Sequence, residues 1–469
     1  MPQLVRPIHM TTPSPTATAS TGPAKPYKLN ALIIKCAIVA SLGALLFGFD
    51  TAVISGATKA LREVFSLDET FLGFTVAIAI VGTAFGAMFT SGPSDKYGPR
   101  ECLKVTGLLF FVSSIGCGLA WDWYSFLAFR FVGGLAIGAS SVVGPIYIAE
   151  VAPAQWRGRL VALFQFTIVL GILVAYVSNY CVGLLNLGAI EWRVKLAVGA
   201  LPAIFFFFML YGGIPRSPRW LIKKREVDEA RSVLKQIGEP DVEGELKDII
   251  ESIDAEHGYA NEPLFSKKYR VPVFLAVAVA LFNQLSGINA MNYYAPDIFR
   301  MAGFSTASSD LQTIAMGTAN LIFTILGMVL IDKLGRKILL LVGTTGTAIC
   351  LSGVAAIFYT GAHKELLVWM LIGFIACFAF GSGAVIWVYI SEVFPNRVRA
   401  KGQALGSSTH WIICCLLIFV FPALAKLSGS APFVFFAVMM IVQFFVVLAK
   451  FPETKGISLE DMQKKLGIK

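Results

Sequence analysis

The chain has 469 residues, 56% of them hydrophobic and only 14% charged, with a mean hydropathy of +0.71, whereas an ordinary soluble domain is about 25% charged. That composition excludes a soluble globular protein, and long apolar runs in place of strict alternation exclude a β-barrel, leaving an all-α membrane protein. The net charge of +10 raises nucleic acid as a partner, but the basic residues gather in alternate connectors, as positive loops retained on the cytoplasmic face do, which makes nucleic-acid binding the weaker reading.

Residues 1–28 are rich in Pro, Ser and Thr and lack the apolar core and cleavage site of a signal peptide, so a disordered cytoplasmic tail is expected there. Twelve apolar stretches follow, each long enough to cross a hydrocarbon core of about 30 Å as a helix. They lie at 33–56, 70–91, 102–120, 124–149, 159–182 and 192–213, then at 272–295, 309–331, 338–359, 366–390, 402–424 and 431–450. The expected domains are a six-helix half at 29–213, a connector at 214–271, a second six-helix half at 272–451 and a tail at 452–469. Basic groups such as Lys96 with Lys104, Arg157 with Arg159, and Arg397 with Lys401 put both termini and the connector in the cytoplasm of a multi-pass inner-membrane protein. Within the connector, Val227, Ala230, Val233 and Leu234 recur at helical spacing in the charged stretch 226–253. Short amphipathic helices lying under the bilayer are expected, with a partner-binding role as the other reading.

The two halves repeat each other. Asp95-Lys96-Tyr97-Gly98-Pro99-Arg100 recurs 237 residues later as Asp332-Lys333-Leu334-Gly335-Arg336-Lys337, and Glu150 followed by Arg157 recurs 242 residues later as Glu392 followed by Arg399. Two unrelated motifs at nearly one interval indicate a duplicated body. These carboxylates and cations at span ends are expected to form salt-bridge clusters between the halves that hold one gating state; topology alone is the other reading.

Inside the spans, an ionised side chain costs about 2.5–3.5 kcal/mol on insertion scales, so each needs a reason. Asp50 in the first span and Arg130 in the fourth are the two that stand out. They read either as a proton switch, Arg130 holding Asp50 ionised in one state and freeing it to take up a proton in another, or as a static ion pair that fixes packing. Neutral amides form a second group, Gln165, Gln284, Asn289, Asn292 and Asn320, accompanied by Tyr293, Trp387 and Trp411. Amides bind hydroxyls and aromatic faces bind the C–H faces of a sugar, so a neutral polyhydroxylated ligand is inferred; glue between helices is the alternative. On one ideal helix Gln284 and Asn289 would point about 140° apart, so they converge only if the helix unwinds near Ser286-Gly287. Gly134 and Gly138 form a close-approach motif for helix packing. The cysteines give neither a disulfide framework nor zinc spacing, and the four histidines, His9, His257, His363 and His410, make no metal cluster.

These residues together carry a resemblance. The stretch Phe47-Gly48-Phe49-Asp50-Thr51-Ala52-Val53-Ile54-Ser55-Gly56, Arg130, Arg157-Gly158 with Gln165, Gln284-Leu285-Ser286-Gly287-Ile288-Asn289 with Tyr293-Tyr294, Asn320, Phe378, Trp387, Trp411 and Pro452-Glu453-Thr454-Lys455-Gly456 follow in order. In this set the chain resembles a sugar porter of the major facilitator superfamily, most like bacterial sugar and proton symporters of the xylose-carrier type. The resemblance implies a twelve-helix major facilitator fold and no cofactor. It implies proton coupling through Asp50 and Arg130, and a monosaccharide held by Phe47, Gln165, Asn283, Gln284, Asn289, Tyr293, Asn320, Phe378, Trp387, His410 and Trp411. The gating set is then Asp95, Arg100, Glu150, Arg157, Asp332, Arg336, Glu392 and Arg399. Departures from the family pattern are Asn283 for glutamine, His410 for an amide, Ala384 for proline, Arg216 for glutamate and Pro99 for a basic residue. The expectation is a monomeric symporter, not an enzyme, that binds a pentose or hexose between its halves; a facilitative uniporter and a membrane sugar sensor are the alternatives.

Overall fold

In a bilayer every backbone polar group must be bonded within the protein, which leaves helices as the outcome for unbroken apolar runs. The computed structural model describes residues 30–259, 262–395, 397–457 and 459–468; the tail expected at 1–28 lies outside them. Among the described residues, twelve helical spans of 20 to 35 residues are long and apolar enough to cross a membrane. In the first half these are α1 (Ala31–Gly56), α2 (Glu69–Phe89), α3 (Pro99–Leu119), α4 (Trp123–Val151), α5 (Trp156–Leu184) and α6 (Gly188–Tyr211). The second half holds α7 (Lys267–Met301), α8 (Ser308–Leu334), α9 (Arg336–Thr360), α10 (Lys364–Val393), α11 (Arg399–Leu427) and α12 (Ala431–Lys450). All twelve expected spans are present. Polar caps start several of them: Asn30 accepts from the Ile33 N–H at α1, Asp68 from that of Phe71 at α2, and Asp122 from that of Ser125 at α4.

The duplication is visible in the backbone. Gly98 (φ 93°, ψ 153°) starts α3 and Gly335 (φ 93°, ψ 163°) starts α9, so the repeated motif makes the same tight turn twice, in a region that glycine alone enters without strain. At the second turn the Glu453 carboxylate accepts from the N–H groups of Arg336, Lys337, Thr454 and Lys455, satisfying the first orphan donors of α9. Burial acts to raise the pKa of this carboxyl, and those four backbone donors outweigh it, holding Glu453 below the usual carboxylate range.

Three apolar cores organise the molecule. One joins the two halves, with Phe49, Ala52 and Tyr176 of the first packed with Ile288, Met291 and Phe421 of the second. Another belongs to the first half and the connector, and a third draws only on residues from Leu264 onward. The connector folds as helices Pro218–Lys223, Val227–Gln236 and Val242–Tyr259. Its apolar stripe, Ala230, Val233 and Leu234, is buried in the same core as Ile33, Cys36 and Ile214, so it docks the connector to the first half.

The close-approach glycines bring α4 onto α2. A Cβ on Gly134 would stand 2.0 Å from the Ala79 carbonyl oxygen, and one on Gly138 2.0 Å from that of Thr83. Both obstacles are backbone and cannot swing aside. Gly138→Leu is therefore expected to abolish native packing, since overpacking costs about 1–3 kcal/mol even where neighbours can yield. Size-exclusion profiles of the solubilised variant should show aggregate in place of the native peak, whereas Gly158→Ala, which meets nothing within 4 Å, should elute as the parent does.

Candidate functional site

The site is assembled where α1 and α4 face α7. Asp50 lies in the last part of α1, and Arg130, two turns into α4, donates from Nη1 to Asp50 Oδ1 at 2.7 Å. Arg130 is 1% exposed and the Asp50 side chain 14%, so this pair is held away from bulk solvent. It is also incompletely satisfied: Asp50 Oδ2, Arg130 Nε and Arg130 Nη2 are buried without hydrogen-bond partners. Replacing a buried pair by apolar groups is often neutral for stability, so a pair with unspent hydrogen-bonding capacity is poorly explained as a packing device. Tyr293 of the second half lies against Thr51, next to the pair and within its electrostatic reach.

A second group forms around the break in α7. The helix from Arg270 ends at Leu285, Gly287 adopts a left-handed conformation (φ 82°, ψ 8°), and a new helix runs from Ile288. A Cβ at Gly287 would stand 2.5 Å from the Phe436 ring, so the turn needs glycine on both counts. The unwinding expected near Ser286-Gly287 thus occurs, and it brings the two amides together: Asn289 Nδ2 donates to Gln284 Oε1 at 2.9 Å. Because that oxygen is an acceptor, Gln284 Nε2 is the donor toward the His410 ring nitrogens at 2.9 and 3.1 Å, which requires a ring nitrogen with a free lone pair. Trp387 and Trp411 flank His410, with ring centroids 5.1 and 5.0 Å away. Phe47 reaches Trp411 from the first half at 5.7 Å, so the aromatic wall crosses between halves. Asn283 is diverted: its Nδ2 donates to the Ser382 carbonyl at 3.2 Å, within the wide helical turn Ala379–Gly383 of α10 that immediately precedes Ala384.

The structure thus gathers Phe47, Gln284, Asn289, Trp387, His410 and Trp411 into one cluster, with Asn283 behind it. Gln165 is half-buried on α5, Asn320 accepts from Thr324 within α8 at 3.4 Å, and Phe378 is buried on α10; no hydrogen bond among the described residues ties these three to the cluster. Asn292 contributes its carbonyl, which accepts from Tyr176 across the halves at 3.0 Å.

The residues expected to act as gates are placed differently from the expected clusters between halves. Arg336 donates to Glu392 at 2.8 Å and pairs with Asp332 at 3.2 Å, all inside the second half. Glu392 therefore takes Arg336, brought beside it by the turn at Gly335, and not Arg399, whose Nε is buried without a partner. Arg100 donates to Glu101 and to the Ile214 carbonyl, Asp95 accepts from the Trp220 indole through its backbone oxygen, Glu150 lies against Ser217, and Arg157 is exposed. The physical reason is the conformation. The halves are joined at the end remote from the described chain ends, by Thr58 donating to Asp297 at 2.8 Å, by Tyr176 with Asn292, and by Lys426 near Glu69 at 3.6 Å, while the cores at the opposite end are separate.

This remote closure was missed by sequence reasoning, as were two further buried charges. Lys195, 3% exposed, pairs with Glu191 at 2.7 Å, and Asp310 is 7% exposed. Their signal was available, since Lys195, Asp297 and Asp310 all lie within the spans.

The chain matches the sequence profile described as "Sugar (and other) transporter" over residues 36–466. It is 36% identical over 440 residues to the arabinose-proton symporter of Bacillus subtilis, covering 92% of this chain and 94% of that one. With the D-xylose-proton symporter of Escherichia coli it shares 34% identity over 474 residues, covering 92% and 96%. Its fold superposes on the partially occluded inward-open conformation of the xylose transporter XylE from E. coli with a TM-score of 0.82 at 32% identity, covering 92% of this chain and 100% of the other. XylE bound to 6-bromo-6-deoxy-D-glucose gives 0.78. A duplicated twelve-helix body, a helix broken at a cluster of amides, and likeness along nearly the whole chain lead to one assignment: the protein belongs to the sugar transporter family and has the fold of the major facilitator superfamily.

Proposed function

We propose that the protein is a monosaccharide–proton symporter of the inner membrane, with both termini cytoplasmic, working as a monomer within the lipid bilayer by alternating access. The observation that carries this reading is the Arg130–Asp50 pair, buried in the first half and abutting Tyr293, on the same broken helix that presents Gln284 and Asn289. Proton group and sugar group thus share one interface between the halves.

Coupling follows from electrostatics. While Arg130 donates to it, the Asp50 side chain is paired with a cation. A shift of α4 against α1 within the first half, accompanying movement of the halves, that withdraws the guanidinium leaves a lone charge in the membrane interior, a cost of several kcal/mol that a proton removes. The sugar is bound by the amides of Gln284 and Asn289, with Gln165 and Asn320 completing the hydroxyl contacts as the halves close. Trp387, Trp411, Phe47 and Phe378 offer apolar faces, and His410 takes the place of an amide beside Gln284. With the termini cytoplasmic, the present conformation is open inward and sealed outward by Thr58 and Asp297. In the opposite state Asp95, Arg100, Glu150 and Arg157 meet Asp332, Arg336, Glu392 and Arg399 across the cytoplasmic ends.

The test is uptake by purified protein in liposomes with an imposed pH gradient, competed by a panel of pentoses and hexoses. Accumulation that a protonophore collapses to the equilibrium level is expected. Uptake that equilibrates without accumulating, indifferent to the protonophore, would identify a facilitative uniporter instead.

A further inference from the structure

The outer face of the second half holds a groove that transport does not use. Its volume is about 660 Å³, inside the roughly 300–1,000 Å³ range of small-molecule sites. Phe274 and Leu281 of α7 and Val446 of α12 form its walls, and none of its lining comes from the first half, so it is separate from the pathway between the halves. The apolar wall faces outward, with Phe274 48% exposed, and Phe445 beside Val446 faces the same surroundings.

The mouth has the opposite chemistry. Ser266, Lys267 and Arg270 line the groove where α7 begins, at the level of the bilayer interface on the side of the described chain ends. Neighbouring Lys268 is already paired with Glu262, whereas among the described residues neither Lys267 nor Arg270 meets a carboxylate. The Ser266 hydroxyl is buried without a hydrogen-bond partner. Two uncommitted cations and an unsatisfied hydroxyl therefore stand over a slot that offers nothing polar further in. A peptide would need backbone partners along the slot. A molecule with an anionic head and a hydrocarbon tail meets both requirements.

We propose that this groove is a binding site for an anionic phospholipid of the adjoining leaflet, its phosphate against Lys267, Arg270 and Ser266 and an acyl chain between α7 and α12. Because the groove is built on the helix that carries Gln284 and Asn289, the bound lipid braces the element on which the sugar cluster is mounted.

Native mass spectrometry of the full-length carrier in neutral detergent, titrated with dioleoylphosphatidylglycerol or dioleoylphosphatidylcholine, tests this. One phosphatidylglycerol adduct is expected to persist at activation energies that strip phosphatidylcholine. K267Q or R270Q should weaken it about 5-fold each and the double variant about 30-fold, with phosphatidylcholine unaffected. V446W, which fills the slot, should remove the adduct with both cations in place; melting temperatures measured without lipid identify any variant that fails to fold, and the surface charge variants then decide. Equal retention of the two lipids, undiminished phosphatidylglycerol binding in K267Q/R270Q, or displacement by glycerol 1-phosphate at equal concentration would overturn the proposal.

Discussion

Asp50→Asn is expected to abolish concentrative uptake while leaving sugar exchange intact. The substitution keeps the shape of the side chain and an oxygen for the Arg130 Nη1 donor, now 2.7 Å from Asp50 Oδ1, but removes the charge and the site of protonation. One pH unit corresponds to 1.36 kcal/mol, so a carrier moving one proton per sugar accumulates about tenfold for each unit of imposed gradient. In the variant the ratio should fall to about 1, because no proton is carried in either direction. Counterflow, in which labelled sugar enters against preloaded unlabelled sugar, needs no protonation and should continue. The two measurements separate coupling from damage: loss of both would mean that the pair is structural, and tenfold accumulation in the variant would mean that Asp50 carries no proton. Arg130→Leu should be the more disruptive change, since it leaves Asp50 without its partner in an apolar interior, a cost of about 3–5 kcal/mol for breaking one side of a buried pair.

Gln284→Ala is expected to have the largest effect on sugar affinity. Gln284 is 1% exposed and joins three partners, accepting from Asn289 and donating toward His410 and Asn283. Truncation removes the amide offered to sugar hydroxyls and leaves its neighbours unsatisfied. Each buried polar group deprived of its partner costs about 1–3 kcal/mol, a loss of about 5- to 150-fold in affinity. Isothermal titration with the preferred sugar measures it. Gln284→Glu serves as a control that keeps size and one acceptor but loses the donor facing His410. Affinity unchanged by Gln284→Ala would place the sugar elsewhere. His410 has no bystander position here, because it sits between Trp387 and Trp411 and touches Gln284.

The spans were legible because the bilayer imposes a length on every apolar run, and the repeated Asp-Lys motif marked the duplication without any structure. The break in α7 was legible for a geometric reason: two amides five residues apart cannot share a face of an unbroken helix, and Ser286-Gly287 offered the place to break it. Asp50 and Arg130 stood out because charge in an apolar run is costly, and their union needed only that α1 and α4 be neighbours.

What the amino-acid order determined by itself, then, was the membrane class, the two six-helix halves, the broken seventh helix and the roster of polar residues. What it left open was which of those residues meet, because that depends on the arrangement of the halves. Glu392 was expected in a cluster between the halves, yet its partner is Arg336 of its own half, 56 positions away, which reaches it through the turn at Gly335. Thr58 and Asp297, 239 positions apart, meet because the halves close on each other at that end. A carrier has two packings of one sequence that differ by a few kcal/mol. Local pattern is common to both of them, so the state of the gate, the sealed end and the outward groove on α7 and α12 exist only in the tertiary structure.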